Sequence, residues 1–131
     1  MHVKAKVCDE YESGTDCSVY LELHNPGTSE TCSTGVMDDP GNSWGRNDIE
    51  AYHFEDNPVC TNFQPENNLQ FKFHLDDSCI DHMQLTWVHV HFGRKCFTWS
   101  GHHWWNPSSR WMYFDSVEEF CTKHYLWWWT R

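Results

Sequence analysis

Apolar and polar residues alternate most clearly between residues 69 and 92. Leu69, Phe71, Phe73 and Leu75 interleave with Gln70, Lys72 and His74, and Val88, Val90 and Phe92 interleave with Trp87, His89 and His91. A period of two on either side of an acidic stretch, residues 76–81, predicts two half-buried strands joined by a loop. The same alternation opens the chain, with Val3, Ala5 and Val7 facing one way and His2, Lys4, Lys6 and Cys8 the other. After the turn-forming Ser13-Gly14-Thr15-Asp16, Cys17, Val19, Leu21 and Leu23 line one face of a second strand. Residues 25–47 read as a long loop holding one short strand near 31–36. Residues 49–55 form a strand with Tyr52 and Phe54 on one face. Gly93-Arg94 should turn the strand of residues 85–92 into a hairpin with a short strand at 96–99, followed by a loop over 101–110 and a last strand near 111–114.

Ser116-Val117-Glu118-Glu119 has the form of a capping box and predicts a short helix over 117–126. Many short strands separated by turn signals indicate an all-β fold, an antiparallel β-sandwich with a short C-terminal helix or extension. Residues 1–110 make the sandwich domain, and 111–131 are a Trp-rich extension packed on or flanking it.

Composition narrows the function. The 131 residues suit one domain with a buried core. Nineteen acids against nine bases give a net charge of −10, which argues against nucleic acid as a partner and suits a cation site or a basic partner. Seven dispersed cysteines without a Cys-x-x-Cys pair point to long-range disulfides in an oxidising compartment, hence a secreted or extracellular protein. The odd number leaves one thiol free or linking a dimer. The chain opens on a strand without a signal peptide. This suits removal of such a signal, with direct cytosolic synthesis as the competing reading.

The order of these segments resembles the PLAT domain, the β-sandwich module of polycystins, lipoxygenases and bacterial alpha-toxins. That family has a strand, a Gly-Thr-Asp turn and a Val-Tyr-Leu strand, and here Val3 to Val7 precedes Gly14-Thr15-Asp16 and Val19-Tyr20-Leu21. Its Arg-Gly-x-x-Asp-x-Phe-x-Val segment is similar to Arg46-Asn47-Asp48-Ile49-Glu50-Ala51-Tyr52-His53-Phe54, with Glu50 in place of the Asp. Phe71 to Asp76 stands where the family has a strand ending in His-Asp. Leu85-Thr86-Trp87-Val88-His89-Val90 matches a Leu-x-x-Val-x-Val strand. The family's Gly-rich segment is replaced by residues 78–83, and residues beyond 106 have no counterpart in it. The resemblance implies calcium at one end of the sandwich, through Asp16, Asp76 and Asp77 with Gly14 and Thr15 as carbonyl ligands. Calcium takes hard oxygens from flexible loops. The plainer reading is that these carboxylates only bound turns.

Two further candidates come from the residues themselves. His89 and His91 project from one face of a strand and would hold a transition metal if His53, His102 or His103 supplied a third ligand. Otherwise they are the solvent side of that strand. Tryptophan is the second candidate. Trp99, Trp104, Trp105 and the run Trp127-Trp128-Trp129 are too many for one core, and exposed ones suit a membrane interface, a sugar or a protein partner. The alternative is packing of the tail on the sandwich. No nucleophile elbow, phosphate loop or zincin motif is present. The expectation is a secreted, non-catalytic module binding membrane lipid or a protein partner, with calcium as an aid. Lectin-like sugar binding and a small His-based metalloprotein are the alternatives.

Overall fold

A computed structural model describes residues 1–37, 44–54, 60, 62–75, 82–105, 110–119 and 121. The strands are β1 (His2–Val7), β2 (Val19–His24), β3 (Thr31–Val36), β4 (Ile49–His53), β5 (Gln70–Leu75), β6 (Met83–Phe92), β7 (Lys95–Trp105), β8 (Met112–Tyr113) and β9 (Ser116–Glu118). They form two antiparallel sheets, one ordered β4-β1-β6-β7-β9 and the other β3-β2-β5-β8. The alternating residues of the sequence meet between the sheets. Val3, Ala5 and Val7 of β1 and Val88 and Val90 of β6 face Leu21 and Leu23 of β2 and Phe71 and Phe73 of β5, all buried. This is the aligned-sandwich solution, in which each strand buries every second side chain.

Strand β1 is flanked by β4 and β6, and His2 and Lys4 on its polar side are buried, as is Cys8 just beyond it. The structure departs from the sequence reading in three places. The strands on either side of residues 76–81 lie in different sheets, since β5 pairs with β2 and β8 while β6 pairs with β1 and β7.

Strand β7 does not stop at Trp99 but runs to Trp105, so 101–105 is strand and not loop. The continuation rests on an irregularity. Lys6 and Val7 are adjacent, their partners Trp87 and Leu85 are separated by one residue, and the partners of those, Ser100 and His103, by two. Gly101 absorbs that step at φ +156°, a backbone conformation open mainly to glycine. Finally, Ser116, expected to cap a helix, instead begins β9, paired with Cys96, Phe97 and Thr98 of β7. Local capping chemistry loses here to a ready-made sheet edge. No helix occurs among the described residues, and those from 122 onward lie outside them.

Residues 111–119 and Cys121 therefore belong to the sandwich. Strand β8 extends one sheet, β9 extends the other, and the Cys96–Cys121 disulfide fastens the segment down. A second disulfide joins Cys32 of β3 to Cys60, and Cys17 is disulfide-bonded as well. The expected odd thiol is Cys8, buried at 1% exposure, which does not suit the bridge to another chain.

Candidate functional site

The strand directions bring four connections to one end of the sandwich. Strand β1 ends at Val7 and β2 begins at Val19. Strand β3 ends at Val36 opposite Tyr20, and β4 begins at Ile49 opposite Lys6. Strand β5 ends at Leu75 opposite Val19, β6 begins at Met83, and β7 ends beside it at Trp105.

The floor of this end is a buried plug. Trp44 sits at φ +61°, an unusual backbone conformation for so large a residue. Three groups hold it there. Glu50 Oε1 accepts from Trp44 N (2.9 Å), Trp44 Nε1 donates to Met37 O (2.9 Å), and the indole stacks on Tyr52. The Tyr52 hydroxyl donates to the other oxygen of Glu50 (3.3 Å). Glu50, a departure from the family motif, is thus an anchor for buried donors. Gly14 lies against this plug. A Cβ there would stand 2.8–3.0 Å from backbone atoms of Arg46, Trp44 and Gly45, so only glycine allows Thr15 N to reach Trp44 O at 2.9 Å.

At the same end of the sandwich, Tyr11, Glu12, His82 and Trp104 line an open groove of about 390 Å³. Glu12 is held in the left-handed region, φ +62°. His82 meets the Trp104 ring edge-on at 4.7 Å. Tyr11 is 80% exposed and Trp104 41%. Large exposed apolar side chains among the described residues are Tyr11, Val36, Ile49, Trp104 and Tyr113, and all but Tyr113 sit at this end. Behind the groove Cys8 Sγ accepts from Thr86 Oγ1 (3.0 Å) and lies 3.6 Å from His102 Nδ1.

Two of the tryptophans expected on the binding surface are core residues. Trp99 and Trp105 are 6% and 0% exposed, with their rings against Phe71. Trp104, the preceding residue of β7, stays outside by strand alternation. Trp127, Trp128 and Trp129 lie outside the described residues. So do Asp76 and Asp77 of the calcium set. Of that set, Gly14 and Thr15 lie in the first connection, with Thr15 Oγ1 already accepting from Cys17 N (3.1 Å), and Asp16 presents an exposed carboxylate. Leu75, the last residue of β5, stands opposite Val19, and the Asp16 carboxylate and the Gly14 and Thr15 carbonyls are hard oxygens of the kind calcium takes.

The histidines separate. His91 is buried at 3% exposure, on one row with His2 and His53 across β6, β1 and β4. His2 and His53 hydrogen-bond through their Nδ1 atoms, and the His2 and His91 rings are 5.7 Å apart. His89 stacks at a tilt on Trp87, and among the described residues the metal-competent cluster that includes His91 contains neither His89 nor a second histidine. His102 and His103 lie at the groove end of β7, where His103 turns inward onto Trp105. The pair His89 and His91, expected as metal ligands, is therefore not completed by any of the three histidines considered.

Burial, then the neighbouring His53, the terminal ammonium and His91, push the His2 imidazole down to about 4. The unfolded chain takes up a proton near pH 6.5 that the folded chain refuses until about pH 4, so folding stability is full above 6.5 and declines as pH falls through that window. Burial lowers His103 in the same direction. The melting temperature is expected to fall between pH 6.5 and 4 with a shallower slope in His2→Gln. An unchanged slope in that variant would remove His2 as the cause.

No family model matches this sequence, and no curated protein does. Solved structures do. The alpha toxin from Clostridium absonum superposes with a TM-score of 0.64 at 19% identity, over 87% of this chain and 30% of the toxin. The fold is PLAT-like. The resemblance seen in the motifs thus holds in three dimensions, in a chain spanning about 30% of the toxin's length. In this PLAT-like sandwich sequence reasoning missed Tyr11, Glu12 and His82. A lone aromatic inside a polar turn was the available signal for Tyr11, since large apolar side chains in turns rarely have a core to enter.

Proposed function

We propose that this domain is a non-catalytic recognition module of an extracellular protein that docks on a membrane lipid surface through the groove end of the sandwich. One observation carries the reading: the exposed large apolar residues Tyr11, Val36, Ile49 and Trp104 gather at that end. Tyrosine and tryptophan suit the headgroup region, where an apolar ring and a polar tip are both accommodated. The fold shared with a toxin domain and the disulfides support the setting. Charge sets the condition. A chain of net charge −10 is repelled by anionic lipid, so a cation must intervene. Asp16 with the Gly14 and Thr15 carbonyls, together with Asp76 and Asp77, would hold calcium, which supplies positive charge between the acidic loops and lipid phosphates.

The test is flotation with phosphatidylcholine–phosphatidylserine vesicles, with calcium and with chelator. Binding is expected in calcium alone. It should weaken by about tenfold or more in the Tyr11→Ala/Trp104→Ala double variant, since each ring withdraws an interfacial contact worth on the order of 1 kcal/mol. Asp16→Asn should raise the calcium needed. Equal flotation of the double variant would sink the lipid reading. The second reading is a sugar stacked on Trp104, favoured by Glu12 and His82 beside that ring. It predicts a calcium-independent tryptophan fluorescence change with glycans and no flotation.

A further inference from the structure

At the other end of the sandwich the hairpin of β6 and β7 closes on Gly93-Arg94, with Phe92 opposite Lys95 and His91 opposite Cys96. Gly93 has φ +56°, as the first central residue of a two-residue hairpin turn requires. In such a hairpin the pair flanking the turn exchanges backbone hydrogen bonds. The next pair, His91 and Cys96, is then of the closer kind, with Cα atoms about 4.5 Å apart and side chains in contact. The third member arrives from beyond β9. Cys121 N donates to Arg94 O at 2.8 Å and the Cys121 sulfur lies 3.0 Å from the same oxygen, which brings that sulfur to the same spot. The ligand atoms of His91, Cys96 and Cys121 all lie within 4.8 Å of one another, and all three residues are buried. Cys96 and Cys121 are joined as a disulfide.

We propose that this rung is a redox-gated metal site, a disulfide when oxidised and a Cys-Cys-His site for zinc when reduced. A disulfide is no ligand for zinc, whereas two thiolates and a neutral imidazole are among its preferred donors. A dithiol supplies two electrons and two protons. The S–S bond breaks, two thiols form, and the dithiol becomes a disulfide. Zinc then displaces the two thiol protons and binds the thiolates and His91, leaving a fourth position for water. Three donors from three separate segments already lie within 4.8 Å of one another, so drawing them onto one ion costs little further chain entropy. The site stands on the outer face of its sheet, away from the groove, and does not depend on lipid binding.

The test uses the full chain in a Cys8→Ser background, oxidised or reduced with a phosphine, titrated with cobalt(II) and then zinc. Reduced protein should take up one more equivalent of metal than the reduced Cys96→Ser/Cys121→Ser variant and show thiolate-to-cobalt charge transfer. Oxidised protein should show neither. His91→Gln should weaken metal binding by roughly two orders of magnitude, the loss of one ligand in a small set. Equal metal uptake in the double serine variant would overturn the proposal, as would cobalt affinity untouched by His91→Gln. If reduction unfolds the chain, zinc should restore the β-sheet circular dichroism with the same dependence on His91. Failure to restore it also overturns the proposal.

Discussion

Trp105→Ala should cost about 3–5 kcal/mol of folding stability, while Trp104→Ala, one residue away, should cost no more than about 0.5 kcal/mol. Trp105 is fully buried, and its ring lies 5.6 Å from Phe71 and 5.5 Å from Phe73, centroid to centroid. Truncation removes that contact and leaves a cavity between two sheets that cannot collapse onto it. Trp104 points out of the same strand and touches His82 at the groove. Denaturant unfolding of both variants checks this. A small loss in Trp105→Ala would mean the ring is not the keystone its burial implies, and a large loss in Trp104→Ala would make that residue structural. Trp105→Phe separates volume from polarity. It keeps an aromatic ring and discards a buried Nε1–H that has no hydrogen-bond partner among the described residues, so it should recover much of the loss.

The second large effect is expected from opening the Cys32–Cys60 disulfide. It closes a separation of 28 residues, for which the chain-entropy relation gives about 3.5 kcal/mol at 25 °C. It also has a local job. Among the described residues strand β3 is the edge of its sheet, paired only with β2, and Cys32 ties that edge to the connection between β4 and β5. A Cys32→Ala/Cys60→Ala variant should lose roughly that stability without losing the β-sheet signal. A change below about 1 kcal/mol would show that the unfolded chain is little restrained by this bridge. Exchange of the β3 amides should rise more than that of β6, which lies between two partners.

The sequence disclosed the strands wherever one face is apolar and the other polar. Strands β2 and β5 alternate strictly, and the structure buries the expected side of each. Even β3, set in a stretch rich in Gly, Ser and Asp, falls at the expected 31–36. What period cannot convey is which sheet a strand joins, so β5 and β6, neighbours in sequence, looked like companions. Nor does it convey what a strand does past an irregularity. Gly101-His102-His103 has loop composition, yet β7 continues through it because β6 offers it a partner. This one misreading moved Trp105 from core to surface. In the site, Trp104 was legible as an aromatic beyond the needs of the core. Glu12 and His82 were not, because their meeting depends on two connections converging beside the end of β7. The His91–Cys96 rung was hidden for the same reason, being a contact of register.

The placement of β1 between β4 and β6 bears on how the molecule is made. Its partners are residues 49–53 on one side and 85–91 on the other, so the first strand waits for much of the chain before its backbone is paired on both sides. Pairings of such sequence separation fold slowly, on a scale of milliseconds to seconds. During that interval Cys8, at the end of β1, is an uncovered thiol a few residues from Cys17. Its shelter, Thr86 on β6 and His102 on β7, comes late. The odd cysteine of the finished fold is thus a source of wrong bridges during oxidative folding, and a Cys8→Ser chain should reach its native pairing in higher yield.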